Sequence, residues 1–211
     1  MLAAVPAEPA LVIATPGAEP VAPGGYAAAL LLDGWALLGR PSLRAAEEAL
    51  RRWMNAAALV RPAAPVVVLA EATLPAVQAL IRWDSVTFSE RELAERAELG
   101  FPPAVRMASV TGAPEAVADF VGALSSSGDG LPGRAEVLGP VPQGGFGGMG
   151  PPGSEEGLGG IVPPEESRVL IRIGRQDGMA LARALHAAQA TRSARKEGGA
   201  VRVQLDPAEV A

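Results

Sequence analysis

With 211 residues, 49% of them hydrophobic, the chain has room for one large or two small domains, each with a buried core. The lack of cysteine and the single histidine, His186, exclude a disulfide framework, a thiolate zinc site and a histidine-rich metal centre. A net charge of -5 excludes a broad basic surface that coats nucleic acid nonspecifically, so any DNA contact must be local.

Among 18 basic residues only Lys196 is a lysine, a bias that favours planar bidentate contacts or reflects genomic composition. No segment reaches the roughly 18 to 20 apolar residues needed to span a membrane. Met1 to Ala10 carries only Glu8 as a charged side chain and so lacks the basic start of a signal peptide, which makes a cytoplasmic protein the expectation. The opening residues lead straight into an apolar run, as in a truncated gene product or a misassigned reading frame.

Residues 11–15, 28–33 and 66–71 are short continuous apolar runs, the pattern of strands buried on both faces of a parallel sheet. After Pro41-Ser42 a helix is predicted, with Leu43, Ala46, Leu50, Trp53 and Ala57 on one stripe. Glu47–Arg51 and Glu48–Arg52 lie mostly off that stripe at the i,i+4 spacing. A second helix from Leu74 to Trp83 would pack Val77, Leu80 and Ile81 against the third strand, with Trp53 and Trp83 in the core. Asp33-Gly34-Trp35 ends the second strand, where α/β proteins place ligands. A metal or DNA contact by Asp33, with Trp35 stacking on a base, competes there with a plain turn carrying a partly buried tryptophan. Three strands and two helices leave exposed edges, so this α/β layer reads as incomplete.

Phe88 to Pro103 predicts a helix capped by Ser89, opening with Glu90 and Glu92 and stopped by Gly100 and Pro102-Pro103. From Ala104 the order is strand, helix, strand, strand, helix, strand. The strands fall at Val105–Val110, Ala135–Val141, Arg168–Ile173 and Val201–Leu205, the helices at Glu115–Leu124 and from about Gly178 to Arg195. Such a string specifies a four-stranded antiparallel sheet with two helices on one face, a ferredoxin-like module. Met179, Leu181, Ala182, Leu185, Ala188 and Gln189 define the inner side of the last helix. Residues 143–166 interrupt the module with clustered glycine and proline and no apolar period, and are expected to be a flexible insert. Residues 125–128 form a shorter joint. Gly144 to Gly150 is not a phosphate loop, since no Lys-Ser/Thr and no helix follow it.

Period 2 places Arg168, Leu170 and Arg172 on one strand face and Val169, Ile171 and Ile173 on the other. The Arg168/Arg172 face, with Arg202 on a neighbouring strand, is the leading candidate for phosphate or carboxylate contact; a solvated sheet face is the alternative. Arg192, Arg195 and Lys196 form a second basic cluster at the end of the last helix, where cations complement the helix dipole. His186 has no recognisable partner nucleophile or carboxylate and is expected to be structural or surface.

Four segments resemble one family. The Phe88–Pro103 junction, the turn Val137-Leu138-Gly139-Pro140-Val141-Pro142, the ending Gln204-Leu205-Asp206-Pro207 and the stretch Leu30–Glu48 are similar to the C-terminal part of primosomal protein N-prime, the PriA replication-restart family. The resemblance implies that residues 1–87 are the remnant of a second RecA-like helicase lobe. Residues 88–103 would then be a connecting helix and Pro-Pro junction, and residues 104–211 the C-terminal domain. It implies recognition of stalled forks, contact with forked or single-stranded DNA, and partnership with single-strand-binding protein and other primosome proteins. ATP and zinc are expected to bind only in the intact family protein, not in this chain. The family's basic position near the head of the last helix falls close to Asp177, with Arg175 beside it.

The helicase motifs can be followed position by position within that resemblance. The Gly-Thr-Gln-like motif falls on Ala14-Thr15-Pro16. The arginine motif falls on Asn55 to Pro62, with Ala58 at its first glycine, Leu59 at its first arginine, Arg61 at its second glycine and Pro62 at its last arginine. Leucine cannot supply a positive fork to a transferring phosphate, and an arginine finger is worth roughly 10³ to 10⁵ in rate. With no Walker A loop either, no helicase activity is expected of this chain. The alternatives are a piece of an active helicase using Arg61 as a shifted finger, or a standalone α/β interaction module unrelated to replication.

Overall fold

A computed structural model describes residues 3–6, 8–126, 131–143, 166–195 and 198–209. The chain divides into two compact units, one ending at Ala94 and the other beginning at Glu95.

The first unit contains β1 (Ala29–Leu31), α1 (Gly34–Leu38), α2 (Ala45–Ala57), β2 (Val66–Val68), α3 (Pro75–Arg82) and most of α4 (Ser85–Leu99). β1 and β2 pair in parallel, Ala29 opposite Val66 and Leu31 opposite Val68, as the apolar runs predict. Leu31 packs with Leu50 and Trp53 of α2, Val77 and Leu80 of α3, and Phe88 of α4. The opposite face of the pair is bare, with Leu30, Leu32, Val67 and Leu69 all exposed.

Several expectations for this unit are corrected. Residues 11–15 join no strand among the described residues, and Leu11 and Ile13 are exposed. Prolines 6, 9, 16, 20 and 23 punctuate this region, whose ladder contact is an isolated bridge between Ala4 and Val21. An apolar run becomes a buried strand only where a sheet exists to cover it. In α2 the buried stripe is Ala45, Ala49, Leu50, Trp53 and Ala56, so Ala46 and Ala57 lie at its margin and Leu43 precedes the helix. Glu48 meets both Arg51, at 2.7 Å, and Arg52, at 3.6 Å. Trp83 is exposed, because it is the left-handed C-cap of α3 (φ 55°) and the helical spacing that predicts its burial ends at Arg82. Ile81 is exposed as well, since the buried side of α3 centres on Ala76, Val77 and Leu80.

α4 begins four residues earlier than Ser89. Asp84 caps it, its Oδ1 accepting the Thr87 N–H at 3.0 Å, while Ser89 lies inside the helix and donates its hydroxyl to the Ser85 carbonyl. Gly100 ends it as expected, with φ +69°. The Phe101 N–H then reaches back to the Arg96 carbonyl at 2.8 Å, the long bond of a Schellman ending.

The second unit contains the end of α4, then β3 (Val105–Gly112), α5 (Pro114–Ser126), β4 (Glu136–Gln143), β5 (Glu166–Gly174), a 3₁₀ turn (Arg175–Asp177), α6 (Gly178–Arg195) and β6 (Val201–Leu205). The strands form one antiparallel sheet in the order β4-β5-β3-β6. β3 is therefore an inner strand, and burial from Met107 to Gly112 on both faces explains its imperfect alternation. Ala108, Val110, Val169, Ile171 and Ile173 face Val117, Phe120 and Leu124 of α5 and Leu181, Ala184 and Leu185 of α6 in one core. The inner side of α6 is narrower than expected: Met179 and Gln189 are exposed, Ala182 is half-buried, and Ala184 and Arg192 take buried positions. The expected insert, apart from Gln143 and Glu166 at its ends, lies outside the described residues, as do residues 127 and 128 of the expected joint; its first two residues, Ser125 and Ser126, instead continue α5.

Candidate nucleic-acid interface

Antiparallel register decides which side chains share the sheet face away from α5 and α6. Thr111 of β3 stands opposite Arg168 of β5 on one side and opposite Arg202 of β6 on the other. Directly opposed residues point to the same face, so Arg168, Thr111 and Arg202 form a row across three strands. Strand spacing puts the two arginine backbones roughly 10 Å apart. Arg202 is exposed, Arg168 is half-buried and Thr111 is buried between them.

Arg172 shares that face, opposite Met107 and Glu136, and its guanidinium is engaged at the edge of the sheet. Nε and Nη2 both reach Glu136 Oε2, at 2.8 and 2.7 Å, and Nη1 donates to the Leu99 carbonyl at 3.2 Å. The arginine thus links the end of α4 to the β4–β5 pair. Gly100 makes this possible, since a Cβ there would stand 2.6 Å from Nη1. Arg134 lines the same cleft from the turn before β4, and Glu98 lines it from α4. Neither Glu136 nor Arg134 stands out in the sequence; the Glu136–Arg172 register, between consecutive strands and 36 residues apart in the chain, is the signal that could reveal the pair.

The second basic cluster separates. Arg192 is buried, and its Nη2 donates to the Gly198 carbonyl and, at 3.0 Å, to the Gly199 carbonyl, so it fastens the turn into β6. Its guanidinium is thus turned onto these two carbonyls rather than standing out at the helix end. Arg195 is exposed, and Lys196 lies outside the described residues. His186 is exposed on α6.

The helicase motif positions occupy the first unit. Thr15 is exposed in the opening segment, outside any strand, and Asn55 is exposed on α2. Leu59 and Arg61 flank an isolated parallel bridge between Val60 and Tyr26. The Tyr26 N–H donates to the Leu59 carbonyl at 2.9 Å, and the Arg61 N–H to the Tyr26 carbonyl at 3.1 Å. Gly25 (φ +79°) fits against this backbone; a Cβ would lie 2.9 Å from Arg61 N. The Arg61 side chain is exposed. Asp33 Oδ2 is buried and meets no hydrogen-bond donor among the described residues. Trp35 is 81% exposed, which corrects its expected partial burial: Gly34 presses against the Leu69 carbonyl and α1 turns the indole outward. No group of three or more His, Cys, Asp or Glu that could hold a metal ion occurs among the described residues.

Residues 97–208 match the family described as Primosomal protein N C-terminal domain. The chain belongs to that family. Relatives extend the similarity across the first unit. The chain is 50% identical over 209 residues to a Mycobacterium leprae protein named "Probable replication restart protein PriA", covering 98% of this chain and 30% of that protein. Proteins of the same name from Mycobacterium tuberculosis and Mycobacterium bovis are 47% identical over 211 residues, covering 97% of this chain and 31% of theirs. The chain therefore spans less than a third of the length of these relatives, and the family match covers the unit that carries the arginine row.

Proposed function

We propose that the chain serves replication restart by contacting forked or single-stranded DNA through the outer face of its four-stranded sheet, without ATP-driven strand separation of its own. The observation that carries this reading is the Arg168–Thr111–Arg202 row in a unit that belongs to the primosomal family. Guanidinium groups at fixed spacing on a rigid sheet suit phosphate oxygens, which take parallel N–H donors. A net charge of -5 opposes long-range attraction, so affinity must come from these short-range pairs.

The strand order β6-β3-β5-β4 supports reading the second unit as a ferredoxin-like module, and the parallel β1–β2 pair supports reading the first as the remnant of a RecA-like helicase lobe. Leu59 in the arginine motif and the lack of a Walker A loop support the absence of ATP turnover. Single-strand-binding protein and other primosome proteins are the partners this reading implies, and the cytoplasm its compartment. On this reading ATP and zinc are ligands of the intact family protein and not of this chain.

The test is fluorescence anisotropy with a labelled fork and with a duplex of equal length, together with an ATP hydrolysis assay on the same protein. Preferential binding of the fork, with no ATP turnover above background, is the expected result. DNA-stimulated turnover that disappears in Arg61→Ala would overturn the non-catalytic part. Equal failure to bind either DNA would overturn the rest.

A further inference from the structure

We propose that the cleft between the end of α4 and the β4–β5 pair is an anion site built on Arg134 and Arg172, in which Glu136 sits as an internal competitor that a phosphate must displace. The cleft has a volume of about 230 Å³ and is lined by Arg134, Arg172, Glu98, Glu136, Gly100 and Gly174 among others. Its two cations and two carboxylates cancel, so a charge lost from Glu136 leaves the cleft net positive.

Arg172 is held ready for an anion. A guanidinium has five N–H donors, and here Nε and Nη2 go to Glu136 while Nη1 goes to a neutral backbone carbonyl. The Leu99 carbonyl fixes the side chain in place, so little rotamer freedom remains to be lost when a ligand arrives. Glu136 holds it less well than a forked pair would. Both donors converge on Oε2 alone, whereas a bidentate carboxylate or phosphate would offer one oxygen to each. The side chain of Glu136 is 58% exposed and can swing away into water. Arg134, exposed and without a partner among the described residues, then adds a second guanidinium from the cleft wall.

The shared ligand chemistry is a phosphate oxyanion, and a DNA phosphodiester is its expected source. The identity of that source rests on the DNA reading above; the anion site itself does not. An exposed ion pair contributes up to about 1 kcal/mol, which corresponds to a competitor that weakens binding roughly two- to five-fold.

The experiment titrates the full chain, as parent, Glu136→Gln and Glu136→Gln/Arg134→Ala, with a fluorescein-labelled 20-mer of thymidine and separately with inorganic pyrophosphate. Glu136→Gln keeps the shape and an amide acceptor on an exposed residue, and Glu136→Ala serves as a second variant with no acceptor at all. Roughly two- to five-fold tighter binding of both probes in the two single variants, with the gain lost in the double variant, is the expected result. A gain for pyrophosphate with no oligonucleotide binding by any of the proteins overturns DNA as the occupant and leaves the anion site standing. Unchanged affinity for both probes in folded Glu136→Gln and Glu136→Ala overturns the site.

Discussion

Asp206 closes the sheet of the second unit by exchanging backbone and side-chain bonds with Met107. The Asp206 N–H donates to the Met107 carbonyl at 2.7 Å, and the Met107 N–H donates to Asp206 Oδ1 at 3.2 Å. The other carboxylate oxygen accepts Arg106 Nη1 at 2.6 Å. One residue of the Asp-Pro ending thereby anchors β6 to the inner strand β3, and it does so in a left-handed backbone conformation, φ 45°.

Asp206→Ala should destabilise the second unit by about 1 to 2 kcal/mol, most of it from the lost Met107 N–H bond to Oδ1 and from the left-handed backbone that alanine tolerates less well, since the Arg106 pair is partly exposed and contributes less. Asp206→Asn should lose roughly half as much, because asparagine tolerates the left-handed backbone and keeps one acceptor. Amide exchange at the β3 and β6 ladder measures this without requiring the two units to unfold together. Equal protection in parent and Asp206→Ala would show that the clasp is idle.

Gly100→Ala should be the more damaging change at the α4 ending. Its left-handed φ costs an L-residue about 1 kcal/mol, and the added Cβ would push Arg172 Nη1 off the Leu99 carbonyl. Thermal melting of the variant should show the loss. Adding Arg172→Ala on top should cost less than it does in the parent, because the two changes remove the same contact.

Asp84 makes α4 pH-sensitive. The Thr87 backbone N–H, followed by the Thr87 hydroxyl, holds the Asp84 carboxyl below its ordinary value. A depressed folded pKa means that the cap contributes above the unfolded value of about 4 and is lost as pH falls through the lower folded value. Exchange of the Thr87 amide should therefore quicken relative to its neighbours as pH drops below about 4, and Asp84→Ala should show the fast behaviour already at neutral pH. A Thr87 amide indifferent to both changes would remove Asp84 as the cap.

Much of the second unit was legible from periodicity. Val169, Ile171 and Ile173 alternate with Arg168, Leu170 and Arg172, and the sheet buries the first set as that pattern demands. The first unit was less so, because its apolar runs are ambiguous without knowing what covers them: Leu31 is buried while Leu11 and Ile13 are not. Cap chemistry misled at Ser89, since Asp84 has the same capacity five residues earlier and Phe88 packs in the core from inside the helix. The arginines were identifiable as types and as a shared face, but their engagement was not. Arg172 to Leu99 and Arg192 to Gly198 are contacts set by tertiary register and by a turn, and neither leaves a trace in local spacing.

Whether the Arg168–Thr111–Arg202 row meets DNA phosphates is decided by the salt dependence of single-strand binding. Each phosphate neutralised on a single strand adds about 0.7 to the slope of log affinity against log salt. Arg168→Ala/Arg202→Ala should therefore lower the slope by roughly 1 to 1.5. The same slope in parent and folded double variant would contradict the account and move the contact off this face.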